Sequence, residues 1–546
     1  MMIDSKTKSI FNRAAIKGHI VPIIIIVVAV LIGYHELFFG ADIFLYKDQY
    51  VNSDWSYGNR LGNGWRPDKG FGISFFYADP GGWHPWSPIS FWEGLFSSRK
   101  LAYHTTVLAL GVMAALAVYF FLRRIIGHGI VAALLAPLVI FTMDQPSTHF
   151  NRLIIPNMAG IPLFLMLLHD FYRHPKLLHF FSAVFIFWFV IFFGAYWNLS
   201  MLLSMGFVFT FTYCFYYKES WRKIFPQYML IFFIGGLGTI LLGFWVFYSI
   251  FVEYTSVAYL REKVYELSNG LIPDVKEIGR YILSFFQFYS LPTTTEFLGL
   301  GFRPFYYSYN IIAIFPLIFI FFLFRRSSTF WEFSLKWLLV VFYVFHALIL
   351  IPVMNKAFTL IATKSLLTIN FYSWFAFVVP IQIGLLAIFI EKISKEDFKV
   401  EQRLGKRIQT GTAWILFIFY LVLTIFSVFA LFIPQILPEV LSSAIRQFGP
   451  EKIGRYPKDF LILGVTSNIQ ALQSSMRWYS LTFYSLSALY IFIFLQSKNF
   501  SPPIKNRITL ISGALLLSAI LYSWTVYPLN YKQGIWEEIA PDLPEF

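Results

Sequence analysis

Between residues 40 and 103 the chain carries Asp42, Asp48, Asp54, Asp68, Asp79 and Glu93 among many Gly, Pro and Trp residues, with long apolar runs on either side. A carboxylate beside a bilayer-length apolar run can act as a general base, taking the proton from an attacking hydroxyl. Asp48, in Lys47-Asp48-Gln49-Tyr50, is the first candidate; Asp54, in the same stretch, and Asp144, in a later polar stretch, are its partners or rivals. His84 and Trp86, in His84-Pro85-Trp86-Ser87-Pro88 after Trp83, offer rings that stack on sugar faces or anchor at an interface. Arg303, Lys356 and Lys364 have the donors to hold a phosphate, Arg as a fork and Lys as a point charge. No short Asp-x-Asp spacing suggests a tight metal cage, so no cofactor is expected and a divalent metal is left open.

These residues need elements to position them. The chain has 546 residues, 58% hydrophobic and only 13% charged, about half the charged fraction of a soluble domain. Several apolar runs exceed the roughly 18 residues that cross a bilayer. Alternating barrel strands would be short, so the expected class is an all-α polytopic membrane protein. Spans are read at 21–39, 105–122, 130–143, 153–168, two within 177–217 broken near Tyr196–Asn198, 226–252, 310–324, 333–354, 371–390, 411–432, 479–495 and 510–526, about thirteen in all. Residues 279–289 are apolar but too short to cross. The reading divides the chain into an N-terminal module (1–170), middle helices (171–410) with an outer segment at 253–308, and C-terminal helices (411–546) with an outer segment at 434–478 that has room for a short helix.

Charge orients the spans. Arg123 and Arg124, Arg173 and Lys176, Lys218 to Lys223, Arg325 and Arg326, Lys392 to Arg407, and Lys498 to Arg507 all fall in short loops on one side, which the positive-inside rule makes cytoplasmic. The net charge of +14 is thereby assigned to anionic headgroups and not to nucleic acid. The first apolar run follows Lys6, Lys8, Arg13 and Lys17 and lacks an A-x-A site, so it is expected to stay as the first span. Cys214 is the one cysteine, so no internal disulfide forms. His35 and Glu36 lie at the outer end of span one, where they can line the site, and His346 is a lone mid-span ionisable residue.

The remaining polar residues gather in the outer segments. Chemistry at the outer surface on a membrane-held substrate needs that asymmetry, whereas a channel or carrier needs ionisable groups along a path through the bilayer. The two halves show no obvious repeat, which argues against an inverted-repeat transporter.

This layout resembles the GT-C superfamily of membrane glycosyltransferases and, within it, the bacterial YfhO-like membrane proteins. The shared features are a span, then a large outer loop with an acidic residue and Gln-Tyr (Asp48, Gln49, Tyr50), and an aromatic–Asp–Pro–Gly run (Asp79, Pro80, Gly81). A span ending at paired Arg follows, and then a second outer loop with His149 before Pro156. Asp48 directly adjoins Gln49, closer than the family spacing, so Asp42 and Asp54 stay as rivals for its role. The resemblance implies inverting transfer of a sugar from a polyprenyl-phosphate donor to a glycan, lipid or protein acceptor on the extracytoplasmic face of a bacterial inner membrane. It further implies Asp48 as base, Gln49, Tyr50, Asp79, His84, Trp86 and His149 near the substrate, and Arg303, Lys356 and Lys364 at the donor phosphate. Two other readings stand beside it: a transporter or flippase of lipid-linked glycans, and a non-catalytic scaffold for envelope assembly.

Overall fold

The computed structural model describes residues 13–35, 65–66, 73–74, 95, 99–141, 155–190, 198–242, 315–349, 351, 354, 374–394, 403–432, 452–453 and 456–457, with scattered positions between 443 and 521. Among these the chain is all-α apart from two small antiparallel ladders, β1 (Trp65–Arg66) with β2 (Ile73–Ser74) and β3 (Lys452–Ile453) with β4 (Tyr456–Pro457). The helices are α1 (Arg13–Gly33), α2 (Arg99–Ile125), α3 (Gly129–Leu135), α4 (Leu138–Phe141), α5 (Ile155–Arg173), α6 (Leu177–Phe189), α7 (Asn198–Tyr217), α8 (Trp221–Leu242), α9 (Phe315–Leu323), α10 (Phe330–Ile349), α11 (Trp374–Ser394) and α12 (Arg403–Phe432). Two compact units divide the chain: Met1–Tyr281 with Ser327–Ile388, and Ile282–Arg326 with Phe389–Phe546.

In the first unit α5 packs along α2 and α6, α1 packs on α3 and α2, α6 on α8, and α7 on α8 and α10. The core is continuous down these faces: Ile26 and Val30 of α1, Ala115, Val118 and Leu122 of α2, Leu135 of α3, Phe164 and Leu168 of α5, and Phe209 of α7 are all buried. Aromatic rings fill the seams, with Phe187 edge-on to Phe232 at 4.6 Å and Phe121 edge-on to Trp331 at 5.5 Å between centroids. In the second unit α9 packs on α12. Phe321 meets Phe389 at 5.5 Å, and Tyr420 stacks on Tyr484 at 6.2 Å.

Leu108–Ile125 is long and apolar enough to cross a membrane, and Gly18–Gly33, Gly129–Ile140 (α3 with the start of α4), Leu177–Phe189, Leu202–Tyr217 and Thr410–Ile425 are shorter apolar helical stretches. Their outward faces are apolar too: Phe181, Phe211, Phe215 and Ile415 are all exposed. A helix apolar on every side lacks the polar face that water requires.

Local chemistry explains where several helices begin and end. The single short helix expected at 130–143 is two pieces, α3 and α4, parted at Pro137. Proline has no N–H and its ring crowds the carbonyl four residues back. The N–H groups of Val139 and Ile140 donate instead to the carbonyls of Ala136 and Pro137, at 3.2 and 3.0 Å. Of the interruption expected near Tyr196–Asn198, residues 196 and 197 lie outside the described residues, and Asn198 opens α7. Helix α5 runs past the apolar segment that ends at Leu168 and carries His169, Asp170 and Arg173 on its last turn. Helix α7 closes with Lys218 in the left-handed region (φ 55°) while the Glu219 N–H donates to the Cys214 carbonyl at 3.0 Å, a Schellman closure made without the usual glycine.

Thr329-Phe330-Trp331-Glu332 has the spacing of a capping box. The Glu332 N–H donates to Thr329 Oγ1 at 3.2 Å, and Glu332 Oε2 accepts from the Ser328 N–H at 3.0 Å and from its hydroxyl at 2.9 Å. Deeper in, the α7–α8 seam depends on Gly206. A Cβ there would stand 2.7 Å from the Tyr228 ring. The bare backbone therefore lets Tyr228 lie flat and donate to the Leu203 carbonyl at 2.6 Å.

Candidate functional site

Every site residue expected from the sequence — Asp48, Asp54, Asp144, Gln49, Tyr50, Asp79, His84, Trp86, His149, Arg303, Lys356 and Lys364 — lies outside the described residues. So do Asp42 and Glu36. The β1–β2 ladder falls inside the first polar stretch and pairs Trp65 with Ser74. His35, at the end of α1, places Nδ1 2.9 Å from the Ile32 carbonyl, a bond within its own helix end. His346 lies in α10.

The structure instead assembles a polar cluster at the basic ends of α2, α5 and α7 and the start of α10. Asp170, on the last turn of α5, accepts from both guanidinium nitrogens of Arg124 at the end of α2, one of them at 2.7 Å. The two side chains make a fork-to-carboxylate pair, the geometry in which Arg outperforms Lys. His169 Nδ1 stands 3.5 Å from Asp170 Oδ1, and His169 Nε2 stands 3.5 Å from the Tyr217 hydroxyl. Around the imidazole stand Phe330, stacked at 5.1 Å, Trp331 at 5.2 Å, Tyr213 at 6.0 Å and Tyr217 at 6.3 Å. The Arg173 guanidinium lies 5.7 Å over the Tyr217 ring.

A second polar seam runs beside the first. Thr210 Oγ1 donates to the Gly206 carbonyl at 2.6 Å, so the Tyr172 hydroxyl, 2.8 Å away, is the donor to Thr210. By the same logic Thr212 Oγ1 donates to the Phe209 carbonyl at 2.8 Å and accepts from Ser334 at 2.9 Å. These bonds join α5 to α7 and α7 to α10 through buried hydroxyls, each already satisfied.

Electrostatics at the cluster follow from burial. His169 lies one residue beyond the apolar run that ends at Leu168. Burial holds its imidazole below the usual histidine range, more than the bond to Asp170 raises it. Burial alone would raise the Asp170 carboxyl, but the bonds from His169 and Arg124 and the Arg124 charge outweigh it and hold Asp170 below the usual carboxylate range. At neutral pH the cluster is therefore an ion pair beside a neutral imidazole. His169 is only 4% exposed and closed in by four aromatic rings, so no dissolved substrate reaches its nitrogens. The arrangement fastens helix ends and fixes their relative rotation.

In the sequence Arg123, Arg124, Arg173 and Lys176 read as orientation charges, and His169-Asp170 is not among the expected site residues. The available signal was a His-Asp pair ending an otherwise apolar helix. Among the described residues, no group of three or more His, Cys, Asp or Glu is placed to hold a metal ion. No family model, curated protein or solved structure matches the chain.

Proposed function

We propose that the chain is an integral, multi-pass membrane glycosyltransferase of about thirteen spans in a bacterial inner membrane. It takes a sugar from a polyprenyl-phosphate donor and passes it, with inversion, to a glycan, lipid or protein acceptor on the extracytoplasmic face. The observation that carries this reading is the one-sided distribution of chemistry along the sequence. Carboxylates, Trp and His crowd the segments 40–103 and 144–152, while the alternating short loops are basic. Helices with large apolar side chains facing outward, such as Phe181, Phe211, Phe215 and Ile415, support a bilayer setting.

In this reading Asp48 removes the proton from the acceptor hydroxyl as that oxygen attacks the anomeric carbon. The sugar–phosphate bond breaks, and polyprenyl phosphate leaves with the bonding pair. Asp42, Asp54 and Asp144 are the other candidates for the base. Gln49, Tyr50, Asp79, His84, Trp86 and His149 would orient the sugar, and Arg303, Lys356 and Lys364 would meet the phosphate. The helix-end fastening by Arg124, Asp170 and Thr212 would supply the rigid frame that such a site needs.

The test is transfer in proteoliposomes from a panel of radiolabelled polyprenyl-phosphate sugars. Label passing from at least one donor to a membrane acceptor supports the reading. Label crossing the bilayer with its donor intact would select the alternative, a flippase or transporter of lipid-linked glycans. One observation favours that alternative. Lys336 is buried within α10, one turn after Glu332, which caps the first turn of that helix, and a buried ionisable residue in an apolar helix often marks a conduction path.

A further inference from the structure

The connection between α5 and α6 is short and tightly built. The Lys176 N–H donates to the His174 carbonyl at 2.7 Å, an i to i+2 closure centred on Pro175. That is the inverse γ-turn that the fixed proline φ favours. The same carbonyl lies 3.0 Å from His179 Nδ1. This turn holds Arg173, His174 and Lys176 together, all exposed. Arg173 reaches over the Tyr217 ring at the end of α7, next to exposed Lys218.

The nearby carboxylates are already committed. Asp170 is held by Arg124, and Glu219 lies 3.3 Å from Lys223 Nζ. Among the described residues Arg173, His174, Lys176 and Lys218 have no carboxylate partner. Directly below the turn, α6 turns an apolar stripe outward. Leu177 is 75% exposed, Leu178 73%, Phe181 60% and Phe185 55%. From Leu177 to Phe185 the helix rises roughly 12 Å, close to the ~15 Å hydrocarbon depth of one leaflet.

We propose that the α5–α6 turn and the outer face of α6 form a seat for one anionic phospholipid of the cytoplasmic leaflet, its phosphate against Arg173, His174 and Lys176 and one acyl chain along Leu178, Phe181 and Phe185. The occupant follows from charge complementarity joined to the stripe. A free phosphate would use the cations but not the exposed Leu and Phe, and a neutral lipid would use the stripe but leave the cations unanswered. The proposal rests on the membrane reading above and concerns the face opposite its transfer site.

The experiment uses the full chain in nanodiscs of phosphatidylcholine alone or mixed with phosphatidylglycerol, with the thermal midpoint as readout and native mass spectrometry of retained lipid beside it. The wild type is expected to gain about 2–4 °C in the mixed discs and to retain phosphatidylglycerol. Arg173→Gln/His174→Gln/Lys176→Gln loses most of the gain, read as the difference between its own midpoints in the two kinds of disc, so that any loss of the Arg173–Tyr217 contact cancels. Arg403→Gln/Lys406→Gln/Arg407→Gln, in the other unit, keeps the gain. Equal gains in wild type and the first variant, or equal losses in both variants, would overturn the proposal. An equal gain from inorganic phosphate in phosphatidylcholine discs would also overturn it and make this a free-anion site. If alkaline carbonate strips the chain from membranes, the proposal and the membrane reading fall together; carbonate resistance without a lipid effect removes this proposal alone.

Discussion

Replacing Asp170 by Asn tests whether the Arg124–Asp170–His169 cluster fastens the helix ends. The change removes the acceptor charge from the fork made with Arg124 and from the contact with His169 while keeping the side-chain volume. Hydrogen bonds to charged groups are worth about 1.5–3 kcal/mol net, exposed ion pairs about 0–1, and a broken buried pair about 3–5. Here the side chains are 36% and 21% exposed for Arg124 and Asp170, so solvent screens the pair and the expectation sits low in that range. Asp170→Asn should destabilise the chain by about 1.5 kcal/mol, and Arg124→Gln by a similar amount. The double variant should lose about 2 kcal/mol, leaving a coupling of about 1 kcal/mol. The assay is reversible unfolding in mixed micelles, repeated at high salt, where the coupling should shrink. Additive single effects would refute the fastening argument.

The same cluster sets a pH dependence. His169 has a depressed folded value, so between that value and the ordinary value near 6.5 the unfolded chain binds more protons. Its contribution is thus present above about 6.5 and lost as pH falls through the folded value. The wild type should be measurably less stable at pH 5.5 than at pH 7.5, and His169→Phe should flatten that slope; an unchanged slope would place the titrating group elsewhere. Asp170 acts in a lower window, its contribution present above its unfolded value near 3.9 and lost as pH falls through its depressed folded value. Lys218→Gly relieves a left-handed residue at a helix end and should stabilise the protein by about 0.5–1 kcal/mol in the same unfolding assay. Thr329→Ala removes the acceptor for the Glu332 N–H and should cost about 1 kcal/mol. Gly206→Val drives a branched side chain into the Tyr228 ring and should cost about 1–3 kcal/mol, with a shift in tyrosine fluorescence. A Cys214→Ser background carrying a new cysteine at Gly81 or Lys218 should react with an impermeant maleimide from opposite sides of the membrane, Gly81 from outside.

What was legible in the sequence follows the range of the physics. Composition and run length are local averages, so the helical class could be read. The capping box at Thr329 to Glu332 and the break at Pro137 depend on a few adjacent residues, although neither is among the features expected from the sequence. The His169–Asp170–Arg124 cluster was not legible, because Arg124 and Asp170 stand 46 positions apart and meet only through the packing of α2 on α5. Likewise, nothing local to Thr212 announces a hydroxyl of α10 as its partner. Gly206 reads as an ordinary glycine in an apolar helix until Tyr228 is laid across it. The expected transfer residues, from Asp48 to Lys364, lie outside the described residues, and their grouping rests on sequence and resemblance.

The central claim is that a carboxylate of the first outer segment is the base of a sugar transfer. The most direct measurement is single-turnover transfer in proteoliposomes from a polyprenyl-phosphate sugar that wild type accepts, with Asp42→Asn, Asp48→Asn, Asp54→Asn and Asp144→Asn compared at equal donor binding and equal thermal midpoint. Loss of a general base should lower the rate by roughly 10²–10⁴-fold, and the account predicts that loss for Asp48→Asn. Transfer at the wild-type rate in the Asp42, Asp48 and Asp54 variants would contradict it.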